Sequence, residues 1–106
     1  MKTKVYVAGP YSLGDPVLNV ENAILAADKL AACGFVPFVP HLSHFWHLQH
    51  PHHYEFWMEQ GSEWLRCCDA VLCLAGESRG AACEVELATY LEIPVFYDLQ
   101  ALVDHY

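Results

Sequence analysis

The sequence predicts a single α/β domain, residues 1–106, with a mostly parallel four-stranded sheet flanked by helices. Short apolar runs such as Ala70–Leu74 lack polar alternation, which indicates strands that are covered on both faces. Helical patterns follow these runs, and a strand, a helix and a parallel strand form one right-handed crossover unit. Two such units joined give the strand order 2-1-3-4. The 106 residues are enough for one core, and no repeat or linker suggests a second domain.

The first crossover unit begins at residue 4. Residues Lys4–Ala8 form a predicted strand, and a loop rich in turn residues follows it up to Pro16. The next helix is predicted to end near Cys33-Gly34, since glycine is common just past a helix end. The second strand is predicted at Phe35–Val39, at the edge of the sheet because it contains Pro37. The helix stripe expected to face the sheet consists of Val17, Val20, Ile24, Ala27, Leu30 and Ala31.

The second crossover unit spans residues 69–97. A buried strand over Ala70–Leu74 precedes a loop that contains two glycines. A helix is predicted from near Ala81 up to Pro94, after which Val95–Tyr97 forms the fourth strand. The tail, residues 98–106, is predicted to form a short helix against that strand or against a second subunit. The apolar stripe of the long helix consists of Cys83, Leu87, Tyr90 and Leu91.

One carboxylate, Glu84, is expected at the sheet edge where open α/β sheets bind ligands. The pattern puts it in the first turn of its helix, where free N–H groups and the helix dipole would keep it ionised. An ionised carboxylate in a cleft suits nucleophilic attack on an electrophilic carbon. Alternatively, Glu84 is simply one of the acidic residues that commonly begin helices.

Charge and composition argue against several classes of protein. With a net charge of −8 and five basic side chains, the surface would repel a nucleic-acid backbone. No apolar run reaches the ~20 residues of a membrane span and no signal peptide opens the chain, so we expect a cytoplasmic protein. Five cysteines without a C-x-x-C pair favour reduced, buried thiols. The loop after Gly9 is not a G-x-G-x-x-G fingerprint, so no dinucleotide cofactor is expected.

Residues 41–64 are rich in histidine and aromatic side chains. Four histidines recur every three residues from His41 to His50, a spacing that does not keep them on one helical face. A metal site is therefore not favoured. We expect an aromatic wall or lid that stacks on a purine or pyrimidine, while a dimer contact would explain the same composition. A helical pattern covers His53–Cys67. The aromatic members of the wall are Phe45, Trp46, Trp57 and Trp64.

Two motifs resemble the nucleoside 2-deoxyribosyltransferase superfamily, which includes the 2′-deoxynucleoside 5′-monophosphate N-glycosidases. One is Ser78-x-Gly80-x-x-x-Glu84 on a helix after a buried strand, and the other is the first strand with its loop, Val5-Tyr6-Val7-Ala8-Gly9-Pro10. The resemblance covers roughly residues 4–97 and implies a flavodoxin-like (Rossmann-like) domain. It implies cleavage of the bond between base and deoxyribose, with Glu84 as the nucleophile and Tyr6 beside it. Relatives are homo-oligomers, so we expect a homodimer or a larger assembly.

The resemblance also implies where the substrate binds. The loop after the first strand wraps the sugar, and Ser78 helps to hold the 5′ end. Monophosphate-specific relatives carry a serine and an arginine in that loop, where this chain has Pro10 and Ser12 and lacks the arginine. Nucleosides and nucleotides therefore both stay open as substrates. Together with the histidine-rich wall, the expected substrate-binding residues are Gly9, Pro10, Tyr11, Ser12, Ser78, Arg79, Gly80, His44, Trp46 and His47.

The chain departs from the family at Gly61, where relatives usually place an aspartate that protonates the leaving base. Cleavage of a glycosidic bond requires an acid on the leaving group opposite the nucleophile. Either a histidine or a nearby glutamate supplies that proton, or the chain has lost hydrolysis and only binds a nucleotide-like ligand. The side chains concerned are His44, His47, His53, Glu59 and Glu63.

The function predicted from the sequence is cleavage of the N-glycosidic bond of 2′-deoxynucleosides or their 5′-monophosphates through a glutamate nucleophile. Hydrolysis and deoxyribosyl transfer are both open, as is the base preference. The expected partner is a small-molecule nucleoside or nucleotide, with no metal or cofactor and no nucleic acid or membrane. The alternative is a non-catalytic module that binds or senses nucleotides.

Overall fold

The computed structural model describes residues 2–106 and consists of a parallel sheet with helices on both faces. The predicted α/β class and the strand order 2-1-3-4 are both confirmed, because all three strand pairs are parallel. The strands are β1 (Lys4–Ala8), β2 (Val36–Phe38), β3 (Ala70–Cys73) and β4 (Val95–Phe96). The helices are α1 (Pro16–Ala32), α2 (Ser43–Gln49), α3 (Tyr54–Leu65), α4 (Arg79–Tyr90) and α5 (Leu99–His105), with a 3₁₀ turn at Pro40–Leu42.

The strand β2 lies at one edge of the sheet, as its proline predicts. Its register pairs Lys4 with Val36 and Tyr6 with Phe38. On the other side of β1, Tyr6 pairs with Val71 of β3. The central position of β1 explains why its residues from Val5 to Ala8 are fully buried.

Alternation along β1 divides the core into two halves. Val5 and Val7 pack with the α1 residues Ala23 and Leu30 and with Leu102 of α5. The other face of β1 carries Tyr6 and Ala8, which pack with residues of α3, α4 and β3. Because side chains along a strand point alternately to opposite faces, Tyr6 faces α3 and α4 rather than α1.

Both helix stripes expected from the sequence are rotated from those that the structure buries. In α1, Val17 and Ile24 are exposed, and the buried face is made by Val20, Ala23, Ala26, Ala27 and Leu30. In α4, Cys83 and Tyr90 are exposed, while Ala81, Glu84 and Ala88 are buried. Alanines let a helix backbone approach the sheet closely, so alanines make up much of both buried faces.

The expectation of buried cysteines is wrong. All five thiols are free, and Cys33, Cys67 and Cys83 are exposed, while Cys68 and Cys73 are half-buried. Within residues 2–106, no helix is both long enough and apolar enough to cross a bilayer.

Candidate functional site

A cavity of about 640 Å³ opens at the carboxyl ends of β1 and β3. This is the place where strand order reverses in the sheet, the usual ligand position in open α/β folds. The loop segments that follow these two strands in the predicted fold, Gly9–Ser12 and Gly76–Gly80, both contribute residues to its lining. The described lining residues are Tyr6, Gly9, Tyr11, Ser12, Leu13, Pro40, His41, Ser43, His47, His52, Tyr54, Trp57, Met58, Ser78, Arg79, Gly80, Ala81 and Glu84.

A tyrosine and a glutamate meet at the floor of this cavity. The Tyr6 hydroxyl donates a hydrogen bond to Oε2 of Glu84. Tyr6 is fully buried, and its ring packs against Phe38, which in turn stacks on Trp64. The phenol is therefore held firmly, and one carboxylate oxygen of Glu84 is fixed by it.

Glu84 differs from the sequence-based expectation in both position and charge. The helix α4 begins at Arg79 with Ser78 as its N-cap, so Glu84 lies in the second turn, beyond the free N–H groups. Only 9% of its surface is exposed, and burial raises the pKa of the carboxyl to about 7, although the Tyr6 hydrogen bond acts to lower it. The carboxyl is thus partly protonated at neutral pH, not fully ionised. Burial, with Glu84 nearby, also raises the pKa of Tyr6, so its hydroxyl stays a donor.

The residue at position 61 must be small because α3 passes directly over this pair. A Cβ atom added to Gly61 would lie 2.7 Å from the Tyr6 hydroxyl oxygen and 3.5 Å from Oε2 of Glu84. Gly61 therefore does face the site, as expected, but the space for a larger side chain is already filled by Tyr6. Glu59 and Glu63 are exposed and do not line the cavity, so neither reaches in as an acid.

The loop and helix start at residues 76–80 form one rim of the cavity. Ser78 caps α4 by accepting a hydrogen bond from the Ala81 N–H at 3.1 Å. The Arg79 guanidinium lies 5.6 Å from the centre of the Tyr54 ring, a cation–π contact between α4 and α3. Gly76 has a φ of +116°, and a Cβ there would lie 2.7 Å from Pro10. Pro10 therefore packs between the two loops instead of lining the cavity.

The opposite rim, the loop after β1, is held in place by side chains from elsewhere in the chain. His41 is buried, and its Nε2–H donates to the carbonyl oxygens of Gly9 at 3.2 Å and Pro10 at 3.1 Å. Burial lowers the pKa of His41, which keeps it neutral. Nδ1 of His44 lies 2.6 Å from the hydroxyl of Tyr11. Because Tyr11 lines the cavity and His44 does not, His44 holds the Tyr11 side chain from behind.

The aromatic wall is formed by α2, α3 and the loop between them. His47 and Trp57 form a hydrogen-bonded pair, and His52 stacks on Phe56 with ring centres 3.9 Å apart. Trp46 packs edge-on against Trp57 at 4.8 Å but does not itself line the cavity. Among residues 2–106, no three histidine, cysteine, aspartate or glutamate side chains are grouped so that they could hold a metal ion.

Nine of the twelve site residues expected from the sequence line the cavity, and Pro10, His44 and Trp46 lie behind it. The structure adds His41, which belongs to the repeat of four histidines, and His52, which follows it; the repeat did not indicate which histidines turn inward. The structure also adds Tyr54 and Met58, which lie four residues apart on one face of α3, with Trp57 three residues after Tyr54. That spacing was the available signal.

Comparison with known proteins places the chain in a family. Residues 3–97 match the family model described as "Domain of unknown function (DUF4406)", and the chain belongs to that family. No curated protein matches it in sequence. Among solved structures, the chain is similar to a 2-deoxyribosyltransferase from the psychrotolerant bacterium Bacillus psychrosaccharolyticus, with a TM-score of 0.63 and 21% identity. The match covers 88% of this chain and 69% of that one, and at this identity it establishes a shared 2-deoxyribosyltransferase-like fold.

Proposed function

We propose that this protein cleaves the N-glycosidic bond of 2′-deoxynucleosides or their 5′-monophosphates, with Glu84 as the nucleophile. The observation that carries the proposal is the Tyr6–Glu84 pair at the floor of a cavity with an aromatic wall. The fold shared with a 2-deoxyribosyltransferase supports it. A buried carboxyl with a pKa of about 7 is typical of a catalytic group, since active sites are where such perturbation is concentrated.

The proposed reaction has two steps. The ionised Glu84 attacks C1′ through Oε1 while Tyr6 holds Oε2, so a bond from carboxylate to C1′ forms as the bond from C1′ to the base breaks. The base leaves with the bonding electron pair and takes a proton that comes from water, directly or through another side chain. Water then cleaves the glycosyl ester and restores Glu84, or a second base attacks C1′ in a transfer reaction. The missing 2′-hydroxyl makes the oxocarbenium-like transition state easier to reach, which favours deoxyribose.

The wall opposite the floor suits a flat heterocycle. Trp57, His52 and Tyr54 present rings to the cavity, and stacking on such rings is favourable for any base. A stack of this kind positions the base without selecting it. The base would then extend away from C1′ along α3.

In this proposal the 5′ end binds at the rim formed by Ser12 and residues 78–80. Of the five lysines and arginines in the chain, Arg79 is the one that lines the cavity. Its guanidinium and the hydroxyls of Ser12 and Ser78 are available to a 5′-hydroxyl or a 5′-phosphate. The net charge of −8 disfavours phosphate, so both substrate classes belong in the first screen.

We also propose that the chain forms a homodimer. The helix α1 leaves Val17, Leu18, Ile24 and Leu25 exposed, which is a costly arrangement for an isolated monomer. A second copy of the chain over this face would remove that apolar surface from water. Sedimentation analysis tests this directly, and a monomer at micromolar concentration contradicts it.

The alternative function is a non-catalytic module that binds nucleotides. It is favoured by the absence of a carboxylate at position 61 and by the outward position of Glu59 and Glu63. The same cavity and wall would then recognise a ligand without cleaving it.

Chromatographic detection of free base released from deoxynucleosides and their 5′-monophosphates separates these functions. We expect release by the wild-type protein, loss of release in Glu84→Ala, and normal release in Glu86→Ala, whose side chain is exposed on the same helix. No release from any substrate, with or without an acceptor base, would refute the enzymatic proposal. Ligand-induced thermal stabilisation without release would support the binding module.

A further inference from the structure

The hydrogen bonds of His47 determine its tautomer. Its Nδ1 atom lies 2.8 Å from Nε1 of Trp57 and 3.3 Å from the backbone nitrogen of His52. An indole N–H and a backbone N–H are donors only, so Nδ1 must be the acceptor in both contacts. The hydrogen of the neutral ring therefore lies on Nε2. Protonation of Nδ1 would place an N–H against two other N–H groups and break both bonds.

From this geometry we propose that His47 is a fixed, neutral hydrogen-bond donor that recognises an acceptor atom on the far edge of the bound base. The inference rests on the proposed function, and it assigns a specificity-determining role to one wall residue. Nδ1 is already occupied, and Nε2–H makes no hydrogen bond to any of residues 2–106, so Nε2–H is the polar group of the ring that is available to a ligand. His47 lines the cavity, whereas its neighbour Trp46 lies behind it.

His47 belongs to α2, and its hydrogen bond to Trp57 of α3 sets its distance from Glu84 along α3. Gly61 approaches Glu84 on this helix, and Trp57, the partner of His47, lies one turn earlier. Four residues of helix correspond to about 6 Å along its axis. A base whose C1′ lies at Glu84 and which extends along α3 brings its exocyclic group toward His47.

A donor at this place distinguishes keto bases from amino bases. Uracil, thymine, guanine and hypoxanthine carry an oxygen acceptor at the exocyclic position, whereas cytosine and adenine carry an amino donor there. Two donors facing each other leave both unpaired, which costs more than a missing contact. The site should therefore prefer a keto base. His47 does not serve as the proton donor, because a neutral imidazole polarises an acceptor without releasing its hydrogen.

Binding of free bases tests this without any turnover. Calorimetry with uracil against cytosine, and hypoxanthine against adenine, uses pairs that differ in the exocyclic group. We expect the wild-type protein to prefer the keto member of each pair. In His47→Asn, the amide oxygen can still accept from Trp57 but no donor reaches the Nε2 position. Keto affinity should fall about five- to tenfold, and amino affinity should stay within about twofold.

Two further variants control for structural effects. His47→Gln returns a donor at the reach of Nε2, so part of the keto preference should come back. His50→Asn changes an exposed histidine outside the cavity lining and should leave both affinities unchanged. The indole N–H signal of Trp57 in nuclear magnetic resonance spectra shows whether the wall is intact in each variant.

Equal affinity of the wild-type protein for both members of each pair would overturn the inference, as would equal weakening of both in His47→Asn. The two proposals fail separately. If the keto preference depends on His47 but no nucleoside releases its base, the enzymatic proposal is refuted and the donor role of His47 is retained. Base release that depends on Glu84, with a preference unchanged in His47→Asn, refutes the donor role alone.

Discussion

Replacing Glu84 with glutamine should stabilise the protein increasingly as pH rises. The folded protein holds this carboxyl at a pKa of about 7, compared with 4.5 for an unperturbed glutamate, because the side chain is buried. Between these values the folded state keeps a proton that the unfolded chain has released, so raising the pH favours unfolding. The difference corresponds to about 3 kcal/mol once the pH is well above 7.

Glutamine has the same shape, can accept the Tyr6 hydrogen bond and carries no charge. We therefore expect the stability of Glu84→Gln relative to wild type to rise by about 2.5 kcal/mol between about pH 5 and about pH 8. Urea denaturation at both pH values measures this difference, with Glu86→Gln as the exposed control on α4. A relative stability that stays constant with pH, or that declines toward high pH, would refute the account of the buried carboxyl.

Three other predictions concern the neighbours of this carboxyl. Tyr6→Phe removes the hydrogen-bond donor that lowers the pKa of Glu84, so the pKa of Glu84 should rise. The pH at which kcat/KM increases as Glu84 ionises should then move up by about one pH unit. An unchanged pH profile of kcat/KM contradicts this. Gly61→Ala puts a Cβ 2.7 Å from the Tyr6 hydroxyl, so overpacking should outweigh the better helix propensity of alanine. Urea denaturation should show the variant to be less stable than wild type by about 1 kcal/mol. A more stable variant would argue against the close approach of α3 to Tyr6. Ser78→Ala should cost about 1 kcal/mol through the lost cap to Ala81, and Ser78→Asp should retain most of the stability; equal losses in both variants would show that the cap is not the cause.

The absence of a carboxylate at position 61 has a packing explanation. Since Tyr6 fills the space that a side chain at 61 would need, Gly61→Asp is not a simple restoration of a missing acid. It would displace the phenol and place a second carboxyl beside Glu84. The proton for the leaving base must therefore come from another group or from water. Because burial raises the pKa of Glu84, the pH profile of base release reports on the protonation of this carboxyl as well.

Much of the fold follows from local patterns in the sequence. Apolar runs without alternation identify buried parallel strands, and Pro37 identifies the edge strand, because these features depend on backbone chemistry. The loops at the carboxyl ends of β1 and β3 follow from the same reasoning. What the sequence did not give correctly is the face of each helix that is buried, since that depends on how closely the helix approaches the sheet.

The sequence by itself determined the class and the strand order, while the proximity of Tyr6 to Glu84 was implied by the resemblance to a known family. Only the tertiary structure decided the charge state of Glu84, because a pKa depends on surrounding atoms that are distant along the chain. It also decided which histidines turn inward and which tautomer His47 adopts, since both depend on contacts with Gly9, Pro10 and Trp57. Local periodicity contains no information about contacts made across the fold.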